Sequence, residues 1–264
     1  MTSASLAAGA LGSKFAARLL LGNAFIGAWE AAAIWFVDPF FIGKPSAIAE
    51  RLWDTFVHGD MIVHTGVTLG HSVAGLVLSL VIGVPVGILF AARRTVADVV
   101  EPYFLALYSL PRVALAPLFI LWFGIDDAPK LWLIGLLVFY VIFIAVFAGI
   151  RSVDRRLINM ARVVGASEGM IAREVIWNSL LPYFFASLKI ALPRAVSAAI
   201  IGEFLVGKEG LGFLIEYSRQ NFDTTGVFVG IVVATALVLV INAALGFVDR
   251  KFNAWRPTER EMQI

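Results

Sequence analysis

Leu131-Trp132-Leu133-Ile134-Gly135-Leu136-Leu137-Val138-Phe139-Tyr140-Val141-Ile142-Phe143-Ile144-Ala145-Val146-Phe147-Ala148-Gly149-Ile150 contains no charged residue and no proline. About 20 mostly apolar residues make an α-helix long enough to cross the hydrocarbon core of a bilayer. Asp126, Asp127 and Lys130 stand before the run and Arg151 after it, which puts water at both ends. The apolar residues are continuous rather than alternating, so the run is not a strand of a transmembrane barrel. Five further segments have the same character: about 19–37, 67–91, 102–123, 182–206 and 227–248. The expected fold is an all-α integral membrane protein with six transmembrane helices.

Composition agrees. Of 264 residues 60% are hydrophobic and only 15% charged, whereas soluble domains carry roughly 25% charged residues. The absence of cysteine excludes a disulfide scaffold, thiolate nucleophiles and iron–sulfur clusters. Three histidines, His58, His64 and His71, fall on or beside one loop and are expected to be solvated. No metal site is expected from them. The net charge of +2 is read as basic loops on one membrane face rather than as a nucleic-acid surface.

The first span follows Lys14 and Arg18, as a signal peptide would. Its apolar run is too long, and no small-x-small cleavage site precedes Asp38-Pro39. Thirteen of the Lys and Arg residues fall in loops on one side of the six spans and five on the other. The richer side is expected to be cytoplasmic, with both termini there. The chain then divides into a loosely ordered tail over 1–18, a membrane domain over 19–255 with its core at about 65–250, and a second tail over 256–264. Two loops exceed simple connectors. Residues 38–66 lie outside and include a helical stretch at 46–57; residues 151–181 lie inside and are the most polar part of the chain.

In the inner loop Leu157, Ala161 and Val164 recur at helical spacing, with arginines on the other faces. Gly165 suits a left-handed helix end, and Ser167 suits the cap of a following helix with Glu168 in its first turn. The expectation is two short amphipathic helices joined at a small-residue corner. Two readings follow from the residues alone: a hairpin lying on the inner leaflet, or a docking site for another protein.

The run Ala161-Arg162-x-x-Gly165-Ala166-Ser167 is followed by Gly202-Glu203-Phe204 and Gly210-Leu211-Gly212-Phe213-Leu214-Ile215. It is preceded by Thr68-Leu69-x-x-Ser72-x-x-Gly75 and by Pro111-x-x-Ala114-x-x-Pro117-Leu118-Phe119. With Trp255 near the end, this ordered set resembles the binding-protein-dependent ABC importer permeases, most closely the nitrate/sulfonate/taurine branch. The chain departs from that pattern at Asn159-Met160, where the family has Glu-Ala, and at Trp177-Asn178, where it has Leu-Pro.

The resemblance implies the type I permease fold, acting as a dimer in the bacterial cytoplasmic (inner) membrane. It implies cytoplasmic ABC ATPase subunits, an extracytoplasmic solute-binding protein and a second permease copy as partners, besides membrane lipid. ATP and Mg would be bound by the ATPase and no cofactor by this chain. Ala161, Arg162, Gly165, Ala166, Ser167 and Arg173 would form the ATPase coupling loop. The solute would be a small anion such as a sulfonate, taurine or nitrate.

Polar and helix-breaking residues within spans mark pathways or helix joints. Pro111, Arg112 and Pro117 interrupt the third span. Arg112 is read as substrate-facing, or as a residue snorkelling to the surface. Glu203 is read as a pathway residue, or as an outer carboxylate paired to Lys208. Glu30 is read as a helix–helix contact. Gly202-x-x-x-x-Gly207-Lys208 copies the start of a phosphate-binding loop, but Glu209 stands where Ser or Thr must hold Mg²⁺, and no strand precedes it. No ATPase activity is expected. An ion-coupled secondary transporter is the alternative, although the intramembrane carboxylates and internal repeats it calls for are not evident.

Overall fold

The computed structural model describes residues 3–252, and every regular element among them is helical. In chain order the helices are α1 (Ser3–Trp35), α2 (Pro39–Ile42), α3 (Pro45–Val57), α4 (Met61–Ala92), α5 (Arg94–Ser109), α6 (Ala116–Phe123), α7 (Asp127–Arg151), α8 (Arg155–Val163), α9 (Glu168–Met170), α10 (Trp177–Val206), α11 (Leu211–Gln220) and α12 (Thr224–Phe252). A 3₁₀ turn at Arg112–Leu115 precedes α6, and a π-helical segment at Ile171–Ile176 precedes α10. The chain forms two units: residues up to Ile62 with Leu214–Val232, and Val63–Phe213 with the chain from Val233 on.

In the first unit a carboxylate of α1 starts α3. Glu30 accepts the backbone N–H of Ser46 at 3.0 Å and its hydroxyl at 2.7 Å. It thereby satisfies a donor that the first helical turn leaves free, as the helix-contact reading of Glu30 anticipates. The Trp29 indole donates to the Ile42 carbonyl (3.2 Å) and packs on Phe228.

The second unit is built on α7 and α10. Ile134, Val138, Ile142 and Val146 recur every four residues along α7 and face Ala191, Ala195, Ala198 and Ala199 of α10, all buried. Branched side chains against alanines bring two membrane helices close, which is how helices associate when surrounding lipid is as apolar as they are. α4 packs on the same ridge through Gly75, Ser79, Gly83 and Gly87. A Cβ on Gly75 would lie 2.4 Å from Ile134 Cγ2, and one on Gly87 would lie 2.9 Å from Val146. Between them the Ser79 hydroxyl reaches across to the Gly135 carbonyl at 3.0 Å.

Among the described residues four helices are long and apolar enough to cross a membrane: Met61–Ala92, Ala128–Arg151, Glu168–Val206 and Thr224–Phe247. A fifth crossing is formed if Ala97–Ser109 and Arg112–Phe123 count as one bent span. Three expectations change accordingly. The third span is not one helix: it turns by 84° where Leu110 adopts extended backbone ahead of Pro111. A residue before proline is driven out of the helical region, which ends α5 there. The first segment is helical from Ser3 rather than beginning after an 18-residue tail, but Arg18, Asn23 and Glu30 dilute its apolar character. The loop at 151–181 contains one free-standing helix, not two, because Glu168 to Val206 runs on without a break as one apolar helix. Trp255 and the tail at 256–264 lie outside the described residues.

Candidate functional site

The hairpin within 151–181 folds as its local signals direct. Asp154 caps α8 by accepting the Arg156 N–H at 2.8 Å. At the other end the Ala166 N–H reaches the Ala161 carbonyl (2.9 Å) and the Gly165 N–H reaches that of Arg162 (3.0 Å), with Gly165 at φ +84°. These paired bonds are the Schellman closure, which needs a left-handed residue after the helix. Ser167 then caps the next helix by accepting the Met170 N–H at 3.3 Å.

Arg162 grips Glu168 across the corner with two bonds, at 2.8 and 3.2 Å. Those bonds raise the Arg162 guanidinium above its ordinary pKa. Arg173 is exposed beside Glu174. Ala161 and Ala166 are half-buried. The apolar residues around the corner are not covered: Met160 is 66% exposed, Val163 87% and Val164 83%. A Cβ on Gly165 would meet nothing within 4 Å, so the space beside it is open.

At the end of α10 the chain turns around a carboxylate. The Glu203 side chain has no exposure: its Oε2 accepts the Thr68 hydroxyl and the Gly212 N–H (2.8 and 3.0 Å), and its Oε1 lies 2.8 Å from His71 Nδ1. The Thr68 oxygen in turn accepts the Leu211 N–H at 2.8 Å. The glycines of the turn allow this wrapping. Gly210 has φ +105°, and a Cβ there would lie 2.3 Å from the Glu203 carboxyl carbon. The phosphate-loop-like glycines are explained by close packing, Gly202 against the Lys130 side chain and Gly207 against the Glu203 backbone. Lys208 is exposed and does not hold Glu203, contrary to the outer-pair reading.

His71 also meets Asp127 through Nε2 at 3.3 Å, and Asp127 pairs with the buried Lys130 at 2.6 Å. The Lys130 ammonium holds the Asp127 carboxyl below its ordinary range. Beside this chain of charges lies a cavity of about 700 Å³ whose lining includes His71, Asp126, Asp127, Lys130, Lys208 and Glu209. The expectation that all three histidines are solvated therefore fails for His71, which is 12% exposed. Its signal was in the sequence: His64, Thr68 and His71 share one face of α4 at spacings of four and three.

Arg112 sits in the 3₁₀ turn at the bend, half-buried, with its guanidinium 4.7 Å above the Tyr108 ring and 6.0 Å from that of Tyr140. The two tyrosines stack at 4.2 Å. Pro117 starts α6, where no backbone N–H is needed. Pro111 and Arg112 thus shape the same bend, while Glu203 belongs to the glycine turn. Among the described residues no His, Asp and Glu group suited to a metal ion occurs.

Long apolar helices joined by an arginine-rich hairpin fit a membrane transport component. The chain belongs to the family described as binding-protein-dependent transport system inner membrane component, whose profile matches residues 83–254. It is the permease part of such an importer. The riboflavin transport system permease RibX of Chloroflexus aurantiacus is 33% identical over 228 residues, covering 86% of this chain and 85% of the relative. The taurine transport system permease TauC of Escherichia coli is 27% identical over 232 residues, covering 86% and 84%. The inward-facing MetNI methionine ABC transporter shares the fold, with a TM-score of 0.61 at 20% identity over 82% of this chain and 99% of that one.

Proposed function

We propose that two copies of this chain form the membrane pathway of an importer powered by separate ABC ATPase subunits. In this reading α1 supplies a first span and the bent pair a third, making six, with both termini in the cytoplasm. The ATPase docks on the hairpin at Ala161, Arg162, Gly165, Ala166, Ser167 and Arg173. The observation that carries the reading is the hairpin corner. Met160, Val163 and Val164 are exposed on a capped, arginine-fastened turn whose glycine stands in open space. Exposed apolar residues on a loop outside the bilayer are covered by a partner in a working protein.

Arg173 extends the docking surface onto the helix that continues into α10, so a push on the hairpin reaches the membrane core through one continuous helix. A solute-binding protein would deliver the solute on the extracytoplasmic side. The solute proposed is a small anion of the sulfonate, taurine or nitrate kind, supported by the taurine permease among the relatives. Pro111, Arg112, Pro117 and Glu203 are assigned to the helices that move around it.

The test is co-purification of the ATPase, and its stimulation by loaded binding protein, with Gly165→Val and Ala161→Asp. Both variants are expected to insert normally and to lose stimulated hydrolysis. A valine at φ +84° is strained by about 1–2 kcal/mol, and the aspartate puts a charge into the contact. Normal stimulation in both would overturn the docking assignment. Orientation is read by cysteine labelling in this Cys-free chain: Ser167→Cys from the cytoplasm only, Asn221→Cys from outside only. Thermal shifts of the cognate binding protein with taurine, alkanesulfonates, nitrate and riboflavin decide the solute. A shift with riboflavin alone would exclude the anion.

A further inference from the structure

Two histidines on α4, seven residues and so about two turns apart, meet the glycine turn in opposite senses. The Gly210 N–H donates to His64 Nδ1 at 3.0 Å, which makes that nitrogen an acceptor and leaves the His64 ring proton on Nε2. His71 has a carboxylate oxygen at each ring nitrogen, Glu203 Oε1 at 2.8 Å and Asp127 Oδ1 at 3.3 Å. A neutral imidazole has a single N–H and serves only one of them. The other contact would then set lone pair against lone pair. Glu203 is the more demanding partner, because its side chain is wholly buried and an unmatched carboxylate there is strongly disfavoured. The other charged or titratable groups nearby are His64 on α4, Asp126, Asp127 and Lys130 at the start of α7, and Lys208 and Glu209 in the turn. Lys130 is engaged by Asp127.

We propose that Glu203 and His71 form a charge-neutral clasp holding one proton more than a carboxylate and a neutral imidazole would, shared across their 2.8 Å contact. The clasp positions residues 207–212 on α4. With Thr68 and the N–H groups of Leu211 and Gly212 it ties the end of α10 to α4, so the two helices move as one body. Glu203 and His71 are positioning residues here, not solute ligands. The inference rests on hydrogen-bond direction and does not depend on the importer reading, which survives if the clasp fails.

The test is nitrogen-15 labelling of histidine in the full-length chain in lipid nanodiscs, with His71→Gln assigning the signal. The expected result is a His71 ring protonated on both nitrogens. Equivalently, the proton lies on Glu203 and gives a protonated-carboxyl infrared band that Glu203→Gln abolishes. His64 is expected to be neutral with its proton on Nε2. A neutral His71 beside an ionised Glu203 overturns the proposal. Thermal melts add a cycle: Glu203→Gln and His71→Gln each lower the midpoint, and the double variant regains most of the loss because no charge is left unmatched. Losses that simply add would overturn it. Trypsin cleavage after Lys208 should accelerate in each single variant and return towards wild type in the double. Cleavage unchanged in the single variants would show that the pair does not position the turn.

Discussion

The hydroxyl of Thr68 donates to Glu203 Oε2 at 2.8 Å from 135 residues away in sequence, and its oxygen takes the N–H of Leu211. One small side chain thus satisfies two buried groups at once. Thr68→Val keeps the shape and removes both bonds, so a carboxylate oxygen loses a donor and a backbone N–H loses its acceptor. Leaving a buried polar group unmatched costs about 1–3 kcal/mol, more when it is charged. Thr68→Val is expected to lower the thermal midpoint clearly and Thr68→Ser only slightly. Equal midpoints in melts of the purified protein would show that the turn does not rely on this hydroxyl.

The glycine stripe on α4 predicts a compensating pair. With Ile134 Cγ2 2.4 Å from where a Cβ on Gly75 would lie, Gly75→Ala must push α4 off α7. Overpacking of this kind costs about 1–3 kcal/mol. Trimming the opposing side chain with Ile134→Ala should restore part of the loss in the double variant, although Ile134→Ala alone is destabilising. Strict additivity of the two midpoint shifts would place the residues out of contact.

At the bend, Arg112 stacks on Tyr108. A cation over an aromatic face contributes about 0.5–1 kcal/mol at exposed sites and more where water is excluded. If this stack holds the bend, Tyr108→Leu and Arg112→Ala should reduce uptake to a similar extent, and the double variant should be little worse than either. If Arg112 instead meets the solute, Arg112→Ala alone should raise the KM for uptake while Tyr108→Leu leaves it unchanged. Uptake kinetics in proteoliposomes with the ATPase and binding protein separate the two.

On α11 the pH response has a defined sign. The Arg219 guanidinium, then the Gln220 amide, hold the Glu216 carboxyl down from an ordinary value of 4.5 to about 2. A depressed folded-state pKa stabilises the fold fully above the unfolded value and progressively less as pH falls through the folded one. The midpoint difference between wild type and Glu216→Gln should therefore be constant from pH 8 to about 5.5 and shrink below about 4.5. Arg219 is exposed and Glu216 half-buried at the surface, so the difference is expected to be small and weaker in high salt. A difference that grows on acidification would reverse the assignment.

Local features were legible in the residues themselves. The apolar runs identify α4, α7 and α12, because length and hydropathy decide whether a helix can lie in lipid. The α8 end is written in four consecutive residues, Val164-Gly165-Ala166-Ser167, since a left-handed glycine and a capping serine act on neighbours a few positions away. The ordered set of motifs was enough to indicate the transport family. The continuation of the hairpin into α10 was missed, because 151–181 reads as a polar loop ahead of the apolar span at 182–206, while the backbone passes through 177–181 as helix. What only the tertiary structure decided are the relationships between distant positions. Gly75, Ser79, Gly83 and Gly87 read as tolerated small residues until α7 is laid against them. His71 reads as a solvated loop-edge histidine, and Glu203 as a pathway residue or an outer carboxylate paired to Lys208. Only when α4, α7 and α10 pack does burial remove water from Glu203 and leave Thr68, His71 and the Gly212 N–H to replace it. Charge and hydrogen-bond satisfaction depend on what lies within about 3 Å, and in a helical bundle that distance is set by packing between helices rather than by neighbours along the chain.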